Sequence, residues 1–227
     1  MKLLIVGYGK IGRLIEQLAI EQGHEVTGHV DIDSAGSDAS SDWSRPADVA
    51  IDFSTADALK ENFSRYLARK LPVVLGTTGW DAERDAYRAD AERAGIGVVA
   101  SANFSIGVNL FELIVAEAAR LMQPQPQFGA WIHESHHAAK LDAPSGTTLL
   151  LRDAMTRAGY TSPIDVSSTR AGAIPGIHTI GFDAASDTIE LTHTARDRRG
   201  FAAGAIVAAQ FVRERRGWFT MADVLRG

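Results

Sequence analysis

The chain contains no cysteine, which excludes disulfides, thiolate nucleophiles and Cys-ligated zinc or iron–sulfur centres. A surplus of positive charge is also missing. The 23 Lys and Arg stand against 28 Asp and Glu, for a net charge of −5, whereas a general nucleic-acid binder needs clustered cations for the phosphate backbone. A small anionic ligand stays compatible, because a local cationic pocket fits within an acidic protein. No stretch approaches the ~20 apolar residues of a membrane span. The opening MKLLIVGYGKIG carries no signal-peptide cleavage region, so the cytoplasm is the expected location. Internal repeats and low-complexity segments are absent as well, which excludes a solenoid. What remains is an ordinary globular composition of 227 residues, 45% hydrophobic with 21 glycines, enough for one large domain or two small ones.

The first hundred residues alternate short apolar runs with amphipathic segments. Leu3–Val6, Glu25–Val30, Asp48–Phe53, Leu71–Leu75 and Gly95–Ala100 read as strands. Ile11–Gln22, Ala56–Leu67 and Asp81–Ala94 read as helices between them. This alternation predicts a doubly wound parallel sheet of the α/β class, covered on both faces. The pattern then changes. Ile106–Met122 reads as a long helix with Leu110, Leu113, Ile114, Ala118 and Leu121 on its apolar side, and QPQPQ stops it. A strand Phe128–Ile132, a helix Thr147–Arg157, a loop-like stretch from Ser167 to Asp187, a strand Thr188–Thr194 and a helix Phe201–Val212 follow, ahead of a short tail. Two domains are expected, with hinges near Phe104 and Gly200.

Gly7, Gly9 and Gly12 form GxGxxG between the first strand and the first helix. The first glycine permits the tight turn, the second lets backbone approach a pyrophosphate, and the third lets helix and strand pack closely. Lys10 and Ile11 open the helix, whose free N–H groups and partial positive charge suit phosphates. Asp31 ends the second strand 19 residues after Gly12, where an acid binds the adenine ribose hydroxyls and disfavours a 2′-phosphate. That favours NADH; Asp33 is the rival acid, and Arg13 is available for NADPH. A plain surface role for Asp31 is the alternative. Further loops follow strand ends, where open α/β sheets bind ligands: FSTAD with Phe53 and Ser54, GTTGW with Gly76, Thr77 and Thr78, and SANFSIGVN with Ser101, Ala102, Asn103 and Phe104. Their small residues would let backbone groups meet a nicotinamide carboxamide.

The stretch WIHESHHAAKLDAPSGT holds three of the seven histidines. His133 and His137 spell HExxH, but that motif binds metal only on a helix, and here it follows a strand and runs toward a proline turn. No metal is expected. An anion site fits better: Lys140 supplies a cation, and Ser145, Gly146 and Thr147 open a helix whose hydroxyls and free N–H groups cradle a carboxylate or phosphate, with Pro144 at its entry. A histidine beside the cradle could deliver a proton near neutral pH. The competing reading has Asp142 or Ser145 merely capping the helix while the histidines face solvent.

Glu134 through Thr147, ESHHAAKLDAPSGT, resembles the E-x-H-H-x-x-K-x-D-A-P-S-G-T signature of the dihydrodipicolinate reductase family, also named 4-hydroxy-tetrahydrodipicolinate reductase. GYGKIG, DFS, GTTG, SANFSIGVN, RAG with PGIH, ELTHTA and GFAAGA extend the resemblance through nearly the whole chain. It implies a Rossmann domain plus a smaller α+β mixed-sheet domain, with 1–104 and 201–227 binding the dinucleotide and 105–200 binding substrate and building a homotetramer or dimer. It implies reduction of (2S,4S)-4-hydroxy-2,3,4,5-tetrahydrodipicolinate by NADH or NADPH on the diaminopimelate route to lysine. Hydride would pass to C4 as the hydroxyl leaves as water, and a proton would go to the neighbouring carbanion-like position.

By position, the resemblance makes His136 the acid/base residue, with Lys140 helping protonation and pairing with a carboxylate. His137, Ser145, Gly146 and Thr147 would hold the dicarboxylate, and Gly76, Thr78, Ala102 and Phe104 would line the nicotinamide. Only DAASD separates Phe182 from Thr188, where many members carry a longer segment, so this is a shortened form. Two other readings are a reductase of a different imine or amino acid on this scaffold, and a non-catalytic NAD(P)H sensor. An intact HHxxK motif argues against the sensor.

Overall fold

The run Lys2–Val6 forms β1, whose alternate side chains go to opposite faces of a sheet: Leu3 and Ile5 to one apolar layer, Leu4 and Val6 to the other. In the computed structural model, which describes residues 1–31 and 43–227, β1 is followed by α1 (Lys10–Glu21) and β2 (Glu25–Val30). Next come β3 (Val49–Asp52), α2 (Ala56–Arg69), β4 (Val73–Leu75), α3 (Arg84–Ala94) and β5 (Gly97–Ala100). The strands pair in parallel in the order β2-β1-β3-β4-β5. The order therefore reverses at β1, and the carboxyl end of β1 opens on a topological switch point, the usual ligand crevice of such sheets.

The expected short tail is instead structured. Gly217–Phe219 adds a sixth parallel strand, β10, beside β5, and Met221–Arg226 forms a closing helix with a Thr220–Asp223 capping box. Three residues are too few to show a period; their strand exists because the β5 edge supplies hydrogen-bond partners. The helix before it, α6 (Arg199–Val212), buries Ala202, Gly204, Ala205, Ala208 and Ala209 against the sheet. Such small residues let helix and backbone come close: a Cβ on Gly204 would overlap the Phe104 carbonyl. Gly204→Ala should therefore destabilise the protein by about 1–3 kcal/mol through overpacking. Chemical unfolding of the variant beside the parent checks this; an unchanged midpoint would contradict it.

Met1–Ile106 with Arg199–Gly227 makes up this compact unit, and Gly107–Arg198 makes up a second. The second begins within α4 (Ile106–Met122) and continues with β6 (Gly129–His136), α5 (Gly146–Arg157), β7 (Ile164–Arg170), β8 (Gly176–Asp183) and β9 (Thr188–Ala195). Its sheet has the order β7-β6-β8-β9, with β6 parallel to β7 and antiparallel to β8. Phe111, Val115 and Ala119 of α4 pack with Leu151 and Met155 of α5 against Ala130, Ile132, Ile180 and Phe182 of the sheet.

Three expectations fail here. Ser167–Asp187 is not a loop but holds the rest of β7 and all of β8; the polar Ser167, Ser168 and Thr169 give β7 no apolar period, and both strands are held by register with β6. The buried face of α4 is Val108, Phe111, Val115 and Ala119, while Leu110, Ile114 and Leu121 are 43–55% exposed. The helix carries two apolar stripes, and only packing selects between them. β6 also runs on through His136 rather than stopping at Ile132, with Glu134 and His136 buried on its inner side. The DAASD link is a tight hairpin in which the Ala184 N–H donates to the Asp187 carbonyl at 3.0 Å.

Candidate active site

In the first unit the glycine turn is built as its sequence demands. Gly7 has φ +84°, and a Cβ there would run into the Phe53 carbonyl and Ser54 nitrogen, while one on Gly12 would overlap the Gly7 carbonyl. A Cβ on Gly9 would meet nothing within 4 Å, so its backbone faces open space. Helix α1 has no side-chain cap and no acidic residue in its first turn, so Lys10, Ile11 and their neighbours present uncapped N–H groups suited to a phosphate.

A cavity of about 450 Å³ opens at this point, lined by Gly7, Gly9, Asp31, Phe53 and Ser54. Thr55, Ala58, Glu61, Asn62 and Arg65 line it too, none of them singled out from the sequence. Ala58, Glu61, Asn62 and Arg65 recur at helical spacing on α2, which is the signal that could have found them. Asp33 lies outside the described residues. A groove of about 500 Å³ beside Met1, His24 and Gln210 sits at the amino end of β1, away from the strand ends where such sheets bind ligands.

The other loops are tied together by Asp52. Its buried carboxylate accepts hydrogen bonds from the Ser54 N–H (2.8 Å), the Tyr66 hydroxyl (2.8 Å) and the Thr77 hydroxyl (3.0 Å). Burial raises its pKa, and those hydrogen bonds only partly offset the rise. Phe53 lies edge-on to Phe104 with 5.7 Å between ring centroids, and Gly76 has no side chain because the Phe53 ring occupies that space. Thr77, Thr78, Ser101 and Ala102 line a small neighbouring recess. Asn103 holds its turn through Ser101 Oγ, which takes the Asn103 N–H at 3.1 Å, and through its own Oδ1, which takes the Ser105 N–H at 2.8 Å.

In the second unit the histidines separate by strand parity. His133 faces the open side of the sheet, its ring nitrogens near Ser167 Oγ (2.9 Å) and Ser135 Oγ (3.1 Å). Glu134 and His136 face inward and are buried. His133 and Glu134 thus point to opposite faces of a strand, and HExxH is no helical metal motif here. His137 is exposed on the turn that follows.

Glu134, missed by the sequence reading as a site residue, is the centre of the cluster. Its Oε1 accepts the Ser145 N–H (3.0 Å), the Ser168 hydroxyl (2.8 Å) and the Arg170 guanidinium (2.6 Å), and Oε2 accepts the Thr148 hydroxyl (2.8 Å). Burial alone would raise its pKa. Donation from Ser145, Arg170, Ser168 and Thr148 outweighs that and holds the carboxyl well below the usual carboxylate range. Ser145 is the N-cap of α5, its Oγ taking the Thr148 N–H at 3.3 Å. Ser145 therefore caps the helix, as the competing reading had it, and the cap is bolted to β6 through Glu134. Arg170 also donates to the Asp142 carbonyl at 2.6 Å, which fixes the turn carrying Lys140.

Lys140 donates to both oxygens of Asp142, at 2.7 and 3.0 Å, so its ammonium is already paired with a carboxylate. Gly146 is exposed and Thr147 half-buried at the helix start, and a Cβ on Gly146 would project into open space. His178, on β8 directly across from Glu134, lies T-shaped to His136 with centroids 5.1 Å apart. Burial, then the neighbouring His136, push His178 down to about 4. Glu134, His136 and His178 offer atoms within 4.8 Å of one another that could ligate a metal, but the Arg170 guanidinium already neutralises the carboxylate. The signal for Glu134 was its position two residues before His136, hence on the same strand face. Arg170 and His178 stand in the RAG and PGIH stretches of the resemblance, but their place beside Glu134 comes from cross-strand register.

A histidine with a depressed folded pKa stabilises the protein fully above its ordinary value of about 6.5, and that contribution is lost as pH falls toward the folded value. For His178 the window runs from about 6.5 down to about 4. Urea unfolding across this window should show the parent losing more stability than His178→Gln; parallel profiles would contradict it.

Residues 1–104 match the family described as dihydrodipicolinate reductase, N-terminus, and residues 107–225 match dihydrodipicolinate reductase, C-terminus. The chain belongs to the dihydrodipicolinate reductase family. It is 34% identical to the 4-hydroxy-tetrahydrodipicolinate reductase of Christiangramia forsetii, over 99% of this chain and 98% of that one. It is 35% identical to the reductase of the same name from Archaeoglobus fulgidus, over 96% of each. The structure of dipicolinate-bound dihydrodipicolinate reductase from Paenisporosarcina sp. TG-14 superposes with a TM-score of 0.80 at 22% identity, covering 97% of both chains. It shares the Rossmann-like parallel sheet and the separate mixed sheet of this reductase family. Among the described residues, no helix is long and apolar enough to cross a membrane.

Proposed function

We propose that this chain reduces 4-hydroxy-tetrahydrodipicolinate to tetrahydrodipicolinate with NADH or NADPH, and that the work divides between its two units. The nucleotide turn fits the cofactor: Gly9 exposes backbone, α1 begins uncapped, and the adjoining cavity has room for a nucleoside. Bound there, NAD(P)H supplies the hydride. Gly7, Gly9, Lys10, Ile11 and Gly12 hold the pyrophosphate and Asp31 the adenosine ribose. Phe53, Ser54, Gly76, Thr77, Thr78, Ser101, Ala102, Asn103 and Phe104 shape the nicotinamide end.

In the second unit, Lys140 and the N–H groups at Gly146 and Thr147 neutralise and orient a carboxylate, with Ser145 framing the cradle and His137 at its mouth. His136 manages the proton at the reacting ring. The observation that carries this assignment is the Glu134 cluster, which ties the α5 start through Arg170 to the Lys140 turn and lies 3.5 Å from His136 Nδ1. Purified protein supplied with the synthase product and either coenzyme should consume NAD(P)H; no consumption with either would refute the assignment. The same assay with other cyclic imines separates this reading from a drifted substrate. We also place the enzyme in the cytoplasm with its coenzyme pool. As a homo-oligomer, it would pair through the uncovered sheet face that carries Trp131, His133 and Thr192, and light scattering of the protein in solution tests that.

A further inference from the structure

Resting on that reading of His136, we propose that Glu134 is a positioning residue for the proton step, the carboxylate that fixes the His136 tautomer with Nδ1 protonated and Nε2 turned to the substrate. Hydrogen-bond arithmetic carries it. A carboxylate only accepts, so the Thr148 hydroxyl gives its one proton to Glu134 Oε2 at 2.8 Å. Thr148 Oγ1 must then accept from the Ser145 hydroxyl, 3.1 Å away. Ser145 Oγ, having spent its proton, accepts the Thr148 N–H and the Nε2–H of His178, the latter at 3.1 Å. His178 is thereby committed as the Nε2–H tautomer.

Glu134 Oε2 has His136 Nδ1 at 3.5 Å and His178 Nε2 at 3.7 Å, and with the latter donating to Ser145 it is His136 that is left for its remaining acceptor direction. His136 Nδ1 is buried and makes no hydrogen bond with the described residues, the Oε2 contact included, so Glu134 acts on it as a charge at close range. A buried ring nitrogen beside an unsatisfied carboxylate lobe is most stable as N–H. The opposite nitrogen, Nε2, points at Gly176, where even a methyl would lie 3.2 Å away; the glycine keeps that side of the ring clear. The same carboxylate also clamps Ser145 and Arg170, so one group sets both the cradle and the ring that works beside it.

The groups facing His136 are Glu134 on its own strand, Lys140 and Asp142 on the following turn, Arg170 on β7 and His178 on β8, with His193 behind His178. Burial lowers the pKa of His136, Glu134 is the first opposing influence, and Arg170 and Lys140 lower it further. Removing the Glu134 charge therefore leaves the imidazolium harder to form.

Imidazole ¹⁵N NMR of the wild-type protein, with His136 assigned by its loss in H136Q, should show Nδ1–H with Nε2 bare in the neutral ring. Glu134→Gln should shift the high-pH fall of kcat to lower pH by about 1–3 units, so that its deficit shrinks as pH is lowered. A purely structural defect would be independent of pH. An Nε2–H tautomer in the wild type, or a Glu134→Gln profile of unchanged shape, would overturn the proposal. Should Glu134→Gln fail to fold, the wild-type tautomer decides alone. Should the wild type not reduce the substrate, it is the functional reading that fails, and the tautomer still reports on Glu134 separately.

Discussion

Replacing His136 with Gln is expected to lower kcat by about 10²–10⁴-fold, the usual worth of a positioned acid or base. That is about 3–5 kcal/mol of transition-state stabilisation. Gln nearly fills the imidazole volume and can still offer an amide N–H toward Glu134, so the buried cluster stays packed. It cannot gain or lose a proton near neutral pH. The affinity for NADH and NADPH should not change, because the nucleotide turn belongs to the unit Met1–Ile106 with Arg199–Gly227, while His136 belongs to Gly107–Arg198. Steady-state kinetics together with coenzyme titration by fluorescence read the two effects separately. A variant as fast as the parent would remove His136 from the proton step.

Lys140→Ala is expected to act on binding. Its ammonium holds the Asp142 carboxylate through two hydrogen bonds and is only a quarter exposed, and in the proposed role a substrate carboxylate displaces or joins Asp142. Losing one partner of a desolvated charge pair costs about 2–4 kcal/mol, or roughly 30- to 1,000-fold in the KM for the dicarboxylate. The effect on kcat should be smaller. Salt gives a second readout: raising ionic strength should raise the parent's KM more than the variant's, since the variant has lost the attraction that salt screens. Unchanged KM and kcat would refute the role of Lys140.

The glycine turn was legible because each glycine answers a local demand: a positive φ at Gly7, a bare backbone at Gly9, a close packing at Gly12. The helix start at Ser145 was legible for the same kind of reason, since N-cap chemistry is local. Lys140 and His136 were picked out by a long linear motif. Glu134 stands inside that motif, and strand parity alone would have put it beside His136, had β6 been read through to its end. It was missed because a buried carboxylate makes sense only once its donors are known, and Ser168 and Arg170 come from a segment that reads as loop.

What the sequence by itself determined is whatever depends on near neighbours. That covers the parallel-sheet alternation of the first hundred residues, the nucleotide turn and the cap that opens α5. Tertiary structure decided what depends on pairing at a distance. The strand order β7-β6-β8-β9 brought Arg170 and His178 to Glu134, and the β5 edge turned Gly217–Phe219 into a sixth strand. Packing chose Val108, Phe111, Val115 and Ala119 over the rival stripe of α4. The physical reason is common to all three. A polar or very short strand has no period of its own, and a helix with two apolar stripes has no preference between them, until a partner surface supplies the hydrogen bonds or the contact.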